Sequence, residues 1–278
     1  MERDRAEGWR HAKLSGHQNE AGVLNMFSSE KFRVEFSNRL GIGRVVGATV
    51  GGLHEHNVDS IMERKTKSKT DLVLQIEDGS TVNISIKKSY GGQVYLIGVD
   101  AFIEGFEAHF GTTIPTNVKD SLHLYFYGHP KIDKLLTDDT LCVDLTERVK
   151  SYQLRKKRLT WNTLIKYSEK DANCFLNWIK DNIDRIAEFC FARGLAKNSC
   201  DWADFVWYIN TIGESDFDYI FSTIDIKNAA KQSADMVEVG KTLGGSTILL
   251  PFGFVQWHQC KMQFHHSLDK LLQIVPHK

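Results

Sequence analysis

The chain has no surplus of charge, no cysteine pair and no long apolar run, and each absence closes off a class of protein. Its 35 lysines and arginines balance 35 aspartates and glutamates, so bulk charge gives no support for a polyanionic partner. Any such case rests on local clustering. The five cysteines (Cys142, Cys174, Cys190, Cys200 and Cys260) form no CxxC pair and no metal-ligand spacing. Their odd number and the polar N-terminus MERDRAEGWRHAK predict reduced thiols in a cytoplasmic protein without a secretory leader. No apolar stretch approaches the ~20 residues of a membrane-spanning helix, which predicts a soluble chain with no membrane partner. Eleven histidines fall at no recognisable zinc spacing, since His54-x-His56 and His265-His266 lack further partners. Internal repeats and low-complexity linkers are also missing.

What is present reads as an ordinary globular chain. Its 278 residues, 42% hydrophobic and 25% charged, are enough for one large α/β unit or two modest lobes. Ala21, Leu24, Met26 and Phe27 predict a helix over Asn19–Phe27, and a second helical pattern covers Val99–His109. The longest runs over Ser168–Leu195, with Phe175, Ile179, Ile186 and Phe189 on one stripe and Gly194 as its stop. Strands are predicted over Leu122–Tyr127, Phe205–Ile212, Tyr219–Ile226, Ser246–Phe254 and Lys261–His265, with a helix over Ile226–Met236. Trp178, Trp202 and Trp207 lie in apolar text and read as core. Gly41, Gly43 and Gly47 stand one residue off a dinucleotide fingerprint. Without a strand-then-helix context they read as a structural loop or a glycine-rich strand.

The most informative stretch is KSKTDLVLQIEDGSTVNISIKKSYGGQ, Lys67 to Gln93. Apolar and polar residues alternate on both sides of Asp78-Gly79, which is the hairpin signal. Asp71, Val73 and Gln75 share one face with Asn83, Ser85 and Lys87. Leu72, Leu74, Ile76, Val82, Ile84 and Ile86 form the other. A three-residue loop Asp78-Gly79-Ser80 would set Gln75 against Asn83, Val73 against Ser85 and Asp71 against Lys87. A carboxylate and an ammonium then meet at one end of one sheet face. An ordinary ion pair across a half-exposed hairpin is the plain alternative.

Hydrolysis of a phosphodiester needs a hard cation on the phosphate, an activated water and compensation of the growing negative charge. Thr70-Asp71, thirteen residues and then Ser85-Ile86-Lys87 form a pattern that resembles the PD-(D/E)xK nuclease superfamily, and within it the small Type II restriction endonucleases. The resemblance implies that Asp71 binds Mg²⁺ and that Lys87 positions the attacking water, with the Ile86 carbonyl as a further ligand. Ser85 occupies the place of the second acid. In that family a glutamate from an N-terminal helix often supplies the missing carboxylate, and Glu20 sits where such a helix would place it. Glu77 and Asn83 are weaker substitutes.

The segment STILLPFGFVQWHQCKMQFHHSLDKLLQI is similar to the closing part of several such enzymes, where residues near the loop enter the DNA grooves. By position this implies base contacts for Gln256 and His258, and a base or phosphate contact for Lys261. Lys69, Lys88, Ser89, Tyr90 and Gln93 flank the hairpin and would line the same groove; Arg64, Lys65 and Lys67 precede it. Arg155–Arg158 reads as a solvated helix or loop end.

The resemblance implies an α/β fold: a mixed central sheet flanked by helices, with a strand-rich C-terminal DNA-recognition part. Residues 1–147 would form the catalytic core and 148–278 the recognition and supporting subdomain, the closing strands being free to return to the core. It implies a Mg²⁺-dependent, site-specific endonuclease on double-stranded DNA, a monomer or a dimer on DNA, with a cognate methyltransferase encoded nearby. A repair or junction-resolving nuclease, and a decayed DNA-binding core without activity, stay open.

Overall fold

Two strands flank Asp78-Gly79 in the computed structural model, which describes residues 5–51, 57–213 and 217–278, with side chains from residue 16 onward. His54 and His56 lie outside the described residues. In chain order the elements that position the site begin with α1 (Arg5–Met26), α2 (Glu30–Leu40), β1 (Val45–Val50), β2 (Val58–Asp59) and β3 (Lys65–Thr66). The hairpin itself is β4 (Leu72–Ile76) and β5 (Thr81–Lys87), followed by β6 (Gly91–Ile97), α3 (Val99–Phe110) and α4 (Thr116–Tyr125). After further helices come β7 (Phe205–Ile209), β8 (Asp218–Ser222), β9 (Glu238–Val239), β10 (Thr247–Leu250), β11 (Gly253–His258) and β12 (Lys261–Ser267).

The hairpin register differs from the expected one by two residues. Leu72 pairs with Ile84, Val73 with Asn83 and Gln75 with Thr81. The reason lies in the turn. Gly79, at φ 85°, takes the last place of the loop Glu77-Asp78-Gly79 and not the middle of Asp78-Gly79-Ser80. Its N–H donates to the Ile76 carbonyl (2.9 Å), and the Ile76 N–H donates to Ser80 (2.9 Å). A left-handed residue closing a three-residue loop is the usual partner of a type I turn. A shift of two preserves the face of every side chain. Leu72, Leu74, Ile76, Ile84 and Ile86 are therefore buried together as the alternation predicts.

The chain divides into two compact units. The first comprises residues up to Tyr90, Phe191–Asp225 and Val275–Lys278; the second comprises Gly91–Cys190 and Ile226–Ile274. Residue 147, the end of the expected catalytic core, lies within the second unit. In the first unit the sheet order is β1-β4-β5-β7-β8, with β5 and β7 parallel and the other neighbours antiparallel. Helices α1 and α2 cover its apolar face, where Val23, Phe27, Phe36 and Leu40 pack on the β4 and β5 residues and on Trp207. The Phe36 and Trp207 rings lie 4.7 Å apart. In the second unit an antiparallel sheet runs β6-β12-β11-β10-β9. Its inner face, with Val255, Met262 and Phe264, packs on Phe102 of α3 and Leu122 of α4. The fold is thus α/β, a mixed sheet flanked by helices plus a strand-rich C-terminal sheet, as expected.

Several local expectations are corrected. Leu122–Tyr127 is not a strand. Val118, Leu122 and Tyr125 are buried at helical spacing within α4, which packs along the helix Glu169–Asp181. Ser168–Leu195 breaks into Glu169–Asp181, Ile183–Glu188 and a π-helical turn over Phe189–Arg193. Ser246–Phe254 is two strands joined at Pro251, which has no N–H for a ladder. Tyr219–Ile226 ends as strand at Ser222, and the helix Thr223–Gln232 follows. Gly47 lies in strand β1, so the glycine-rich segment is a strand and not a nucleotide loop. Arg158 is fully buried rather than solvated. Its Nη1 donates to the Ser246 carbonyl (3.1 Å) and its guanidinium stacks 4.4 Å from the Tyr125 ring centre.

Candidate active site

Asp71 immediately precedes β4, and its N–H donates to the Ile84 carbonyl at 2.8 Å. With Leu72 paired to Ile84 and the Asp71 N–H on the same Ile84 carbonyl, Asp71 sits beside the Ile84–Ser85 step and not opposite Lys87. Lys87 is therefore diagonal to Asp71 rather than facing it, and Ser85 lies between them. The Ser85 hydroxyl donates to Asp71 Oδ2 (3.1 Å) and accepts from Lys87 Nζ (2.7 Å). Asp71 Oδ2 also accepts the Ile86 N–H (2.7 Å), and Lys87 Nζ donates to the Ile86 carbonyl (3.1 Å). The ammonium and the carboxylate stand 3.9 Å apart, with side chains 19% and 29% exposed. Burial of Ser85 to 3% exposure makes it a fixed relay between them.

Glu20 joins this group from α1. Burial raises its pKa first, and the negative charge of Asp71 raises it further. His17, 3.4 Å from Glu20 Oε2, and then Lys87 act in the opposite sense. The first unit thus brings Glu20 into the electrostatic field of both Asp71 and Lys87, residues more than fifty positions away in the chain. Glu77 and Asn83 are engaged elsewhere. Glu77 is exposed and pairs with Arg44 (3.7 Å), while the Asn83 amide donates to the carbonyls of Cys200 (2.7 Å) and Trp202 (2.8 Å).

The donor set suits a hard cation. Among the described residues there is no cluster of three or more His, Cys, Asp or Glu side chains placed to hold a metal. Two carboxylates, Asp71 and Glu20, and the Ile86 carbonyl are oxygen donors. Mg²⁺ takes few protein carboxylates and fills its shell with water and phosphate oxygens. The Asp71 charge, which adds to burial in raising the Glu20 pKa, is the kind of repulsion a divalent cation relieves.

Of the residues expected to contact DNA, Lys69, Lys88, Ser89 and Tyr90 lie in the first unit, beside Asp71 and Lys87 in the chain. Tyr90 is 53% exposed and meets Phe217 edge-on at 4.8 Å. Gln93, Gln256, His258 and Lys261 lie in the second unit on one face of its sheet. There Gln256 Nε2 donates to Gln263 Oε1 (3.0 Å), and Gln263 Nε2 donates to Gln93 Oε1 (2.9 Å). His265 stacks on Phe254 at 4.3 Å on that face, and its pKa is lowered by burial and then by His258. Gln263 and His265 were missed as members of this row, although their alternation with Lys261 was the available signal. Also unforeseen is a cleft of about 410 Å³ along β4 and β5, lined by Thr49, Ser68, Thr70, Val73, Asn83 and Asp201 among others.

No protein-family model matches the chain, and no curated protein matches its sequence. Among solved structures, the restriction endonuclease MspI in complex with its cognate DNA is similar, with 12% sequence identity and a TM-score of 0.47. The match covers 85% of this chain and 77% of that one.

Proposed function

We propose that the chain is a Mg²⁺-dependent endonuclease that hydrolyses phosphodiester bonds of double-stranded DNA at a short sequence, as a Type II restriction enzyme does. The observation that carries this reading is the hydrogen-bonded set Asp71, Ser85, Lys87 with Glu20 in its field. Asp71, Glu20 and the Ile86 carbonyl would hold the cation, whose chemistry would be to polarise the scissile phosphate and offset its developing charge. Lys87, steered by Ser85 and the Ile86 carbonyl, orients the attacking water and faces the same developing charge. The exposed Tyr90, the lysines around the hairpin and the glutamine row supply DNA contacts. The protein acts in the cytoplasm beside a methyltransferase that protects host DNA, as a monomer or as a dimer on DNA.

The missing second acid at position 85 also favours a decayed, non-cleaving core as a second reading. Plasmid DNA with Mg²⁺ separates the two. Discrete fragments support restriction, structure-specific cuts support a junction or repair nuclease, and binding without cleavage supports the decayed core. Asp71→Ala and Lys87→Ala should each lower cleavage by roughly 100-fold or more. An unimpaired double variant would sink the site.

A further inference from the structure

One asparagine ties α1 to the end of β7. Asn19 is 1% exposed and spends both ends of its amide on one short stretch of chain. Nδ2 donates to the Ile209 carbonyl (3.0 Å), while Oδ1 accepts the Thr211 N–H (2.7 Å) and the Thr211 hydroxyl (3.0 Å). The same hydroxyl lies 3.3 Å from the Asn19 carbonyl. Almost one turn further on, Gly22 is pressed against the same residue. A Cβ at Gly22 would stand 2.4 Å from Thr211 Oγ1 and 3.0 Å from Thr211 Cβ. A hydrogen-bonded amide and a side-chain-free contact one turn apart set both the rotation and the height of a helix.

What they register α1 against matters. β7 is the parallel neighbour of β5, with Tyr208 opposite Lys87. The stretch gripped by Asn19 therefore begins one residue beyond the partner of Lys87, and Glu20 is the next residue of the helix. A one-residue slip of α1 would carry Glu20 about 1.5 Å along the axis and roughly 100° around it. Metal ligands tolerate only ~0.2 Å.

We propose that Asn19, bonded to Ile209 and Thr211 and seated by Gly22, is the positioning residue that holds the Glu20 carboxylate at the Asp71–Lys87 site and so sets that site's affinity for a divalent cation. The proposal rests on the nuclease reading and on Glu20 as a ligand within it. The buried amide gains nothing from chemistry of its own, because its donor and its acceptor are both spent on the end of β7.

The test compares wild type, Asn19→Ala, Thr211→Val, Thr211→Ser and Glu20→Gln. Mn²⁺ binding is read by the electron paramagnetic resonance signal of the free ion, and plasmid cleavage is followed across a Mg²⁺ series. Asn19→Ala and Thr211→Val should require roughly ten-fold more cation in both assays, with cleavage recovering at saturating Mg²⁺. Thr211→Ser keeps the hydroxyl and should follow wild type. Thr211→Val keeps the N–H bond to Asn19, which guards against loss of fold in the alanine variant. If Asn19→Ala and Thr211→Val lose cleavage by one constant factor at every Mg²⁺ concentration, with Mn²⁺ affinity unchanged, Asn19 is merely structural and the proposal is overturned. Wild-type Mn²⁺ affinity in Glu20→Gln overturns it too. Failure of the nuclease reading looks different: wild type itself then neither cleaves nor differs from Asp71→Ala.

Discussion

Ser85 offers a hydroxyl where the PD-(D/E)xK pattern has a carboxylate, and its two hydrogen bonds define what it does. It accepts from Lys87 and donates to Asp71, so it relays orientation between a cation and an anion that stand 3.9 Å apart. A second carboxylate in its place would compete for the same ammonium; under the proposed function Glu20 would bring the acid from another element instead. Ser85→Ala leaves Lys87 bonded to the Ile86 carbonyl and Asp71 to the Ile86 N–H. Cleavage should fall roughly 10- to 100-fold, the range for removing a partner that orients a reacting group. Stability should fall by about 1 kcal/mol, the net worth of a typical hydrogen bond. Cleavage rates and urea denaturation of the same preparation check both. Unchanged cleavage would remove Ser85 from the site.

At the scale of elements, the hairpin delivers these residues through its turn. Gly79 sits at φ 85° with open space around its missing side chain, so only backbone strain opposes a substitution there. Gly79→Ala should cost about 1 kcal/mol and leave the loop length, and with it the register, unchanged. Denaturation should show the loss while the cation dependence of cleavage stays at the wild-type value; a changed cation dependence would mean the register had slipped. The alternation of Leu72 to Ile86 made the two faces legible because a strand's period is two and one face had to be buried. It left the pairing open by two residues, because each alternative kept every apolar residue inside. Leu122–Tyr127 was misread for a related reason. A short apolar run has no period long enough to separate strand from helix, and burial against the helix Glu169–Asp181 decided it.

At the scale of the whole molecule, one partly buried group in each unit responds to acid, the two in opposite senses. In the first, burial raises the Asp204 carboxyl pKa, opposed by the Asn83 N–H it accepts. A raised carboxyl pKa contributes stability that is full below the unfolded value and is lost as pH rises through the folded one. In the second unit, His265 has its pKa lowered by burial and by His258. A lowered imidazole pKa means that stability is full above the unfolded value, about 6.5, and is lost as pH falls through it. Denaturant titrations should show the stability of wild type declining below about pH 6.5. His265→Phe, which keeps an aromatic ring against Phe254, should reduce that slope. An unaltered slope would show that another group governs the acid limb.

The sequence by itself determined the hairpin, its buried and polar faces, and the association of Asp71, Ser85 and Lys87. All three lie within seventeen residues, and their placement follows from side-chain alternation and one turn. It also marked Glu20 as a candidate, through a resemblance rather than through any local pattern. Tertiary structure alone decided the pairing register, the diagonal path from Lys87 through Ser85 to Asp71, and the approach of Glu20. The physical reason is one of range. Alternation and turn chemistry act between neighbours, whereas Asn19 is fixed by the Ile209 carbonyl 190 residues away. The burial of that amide, and the missing side chain at Gly22 that lets Thr211 approach, become visible only once β7 lies beside β5.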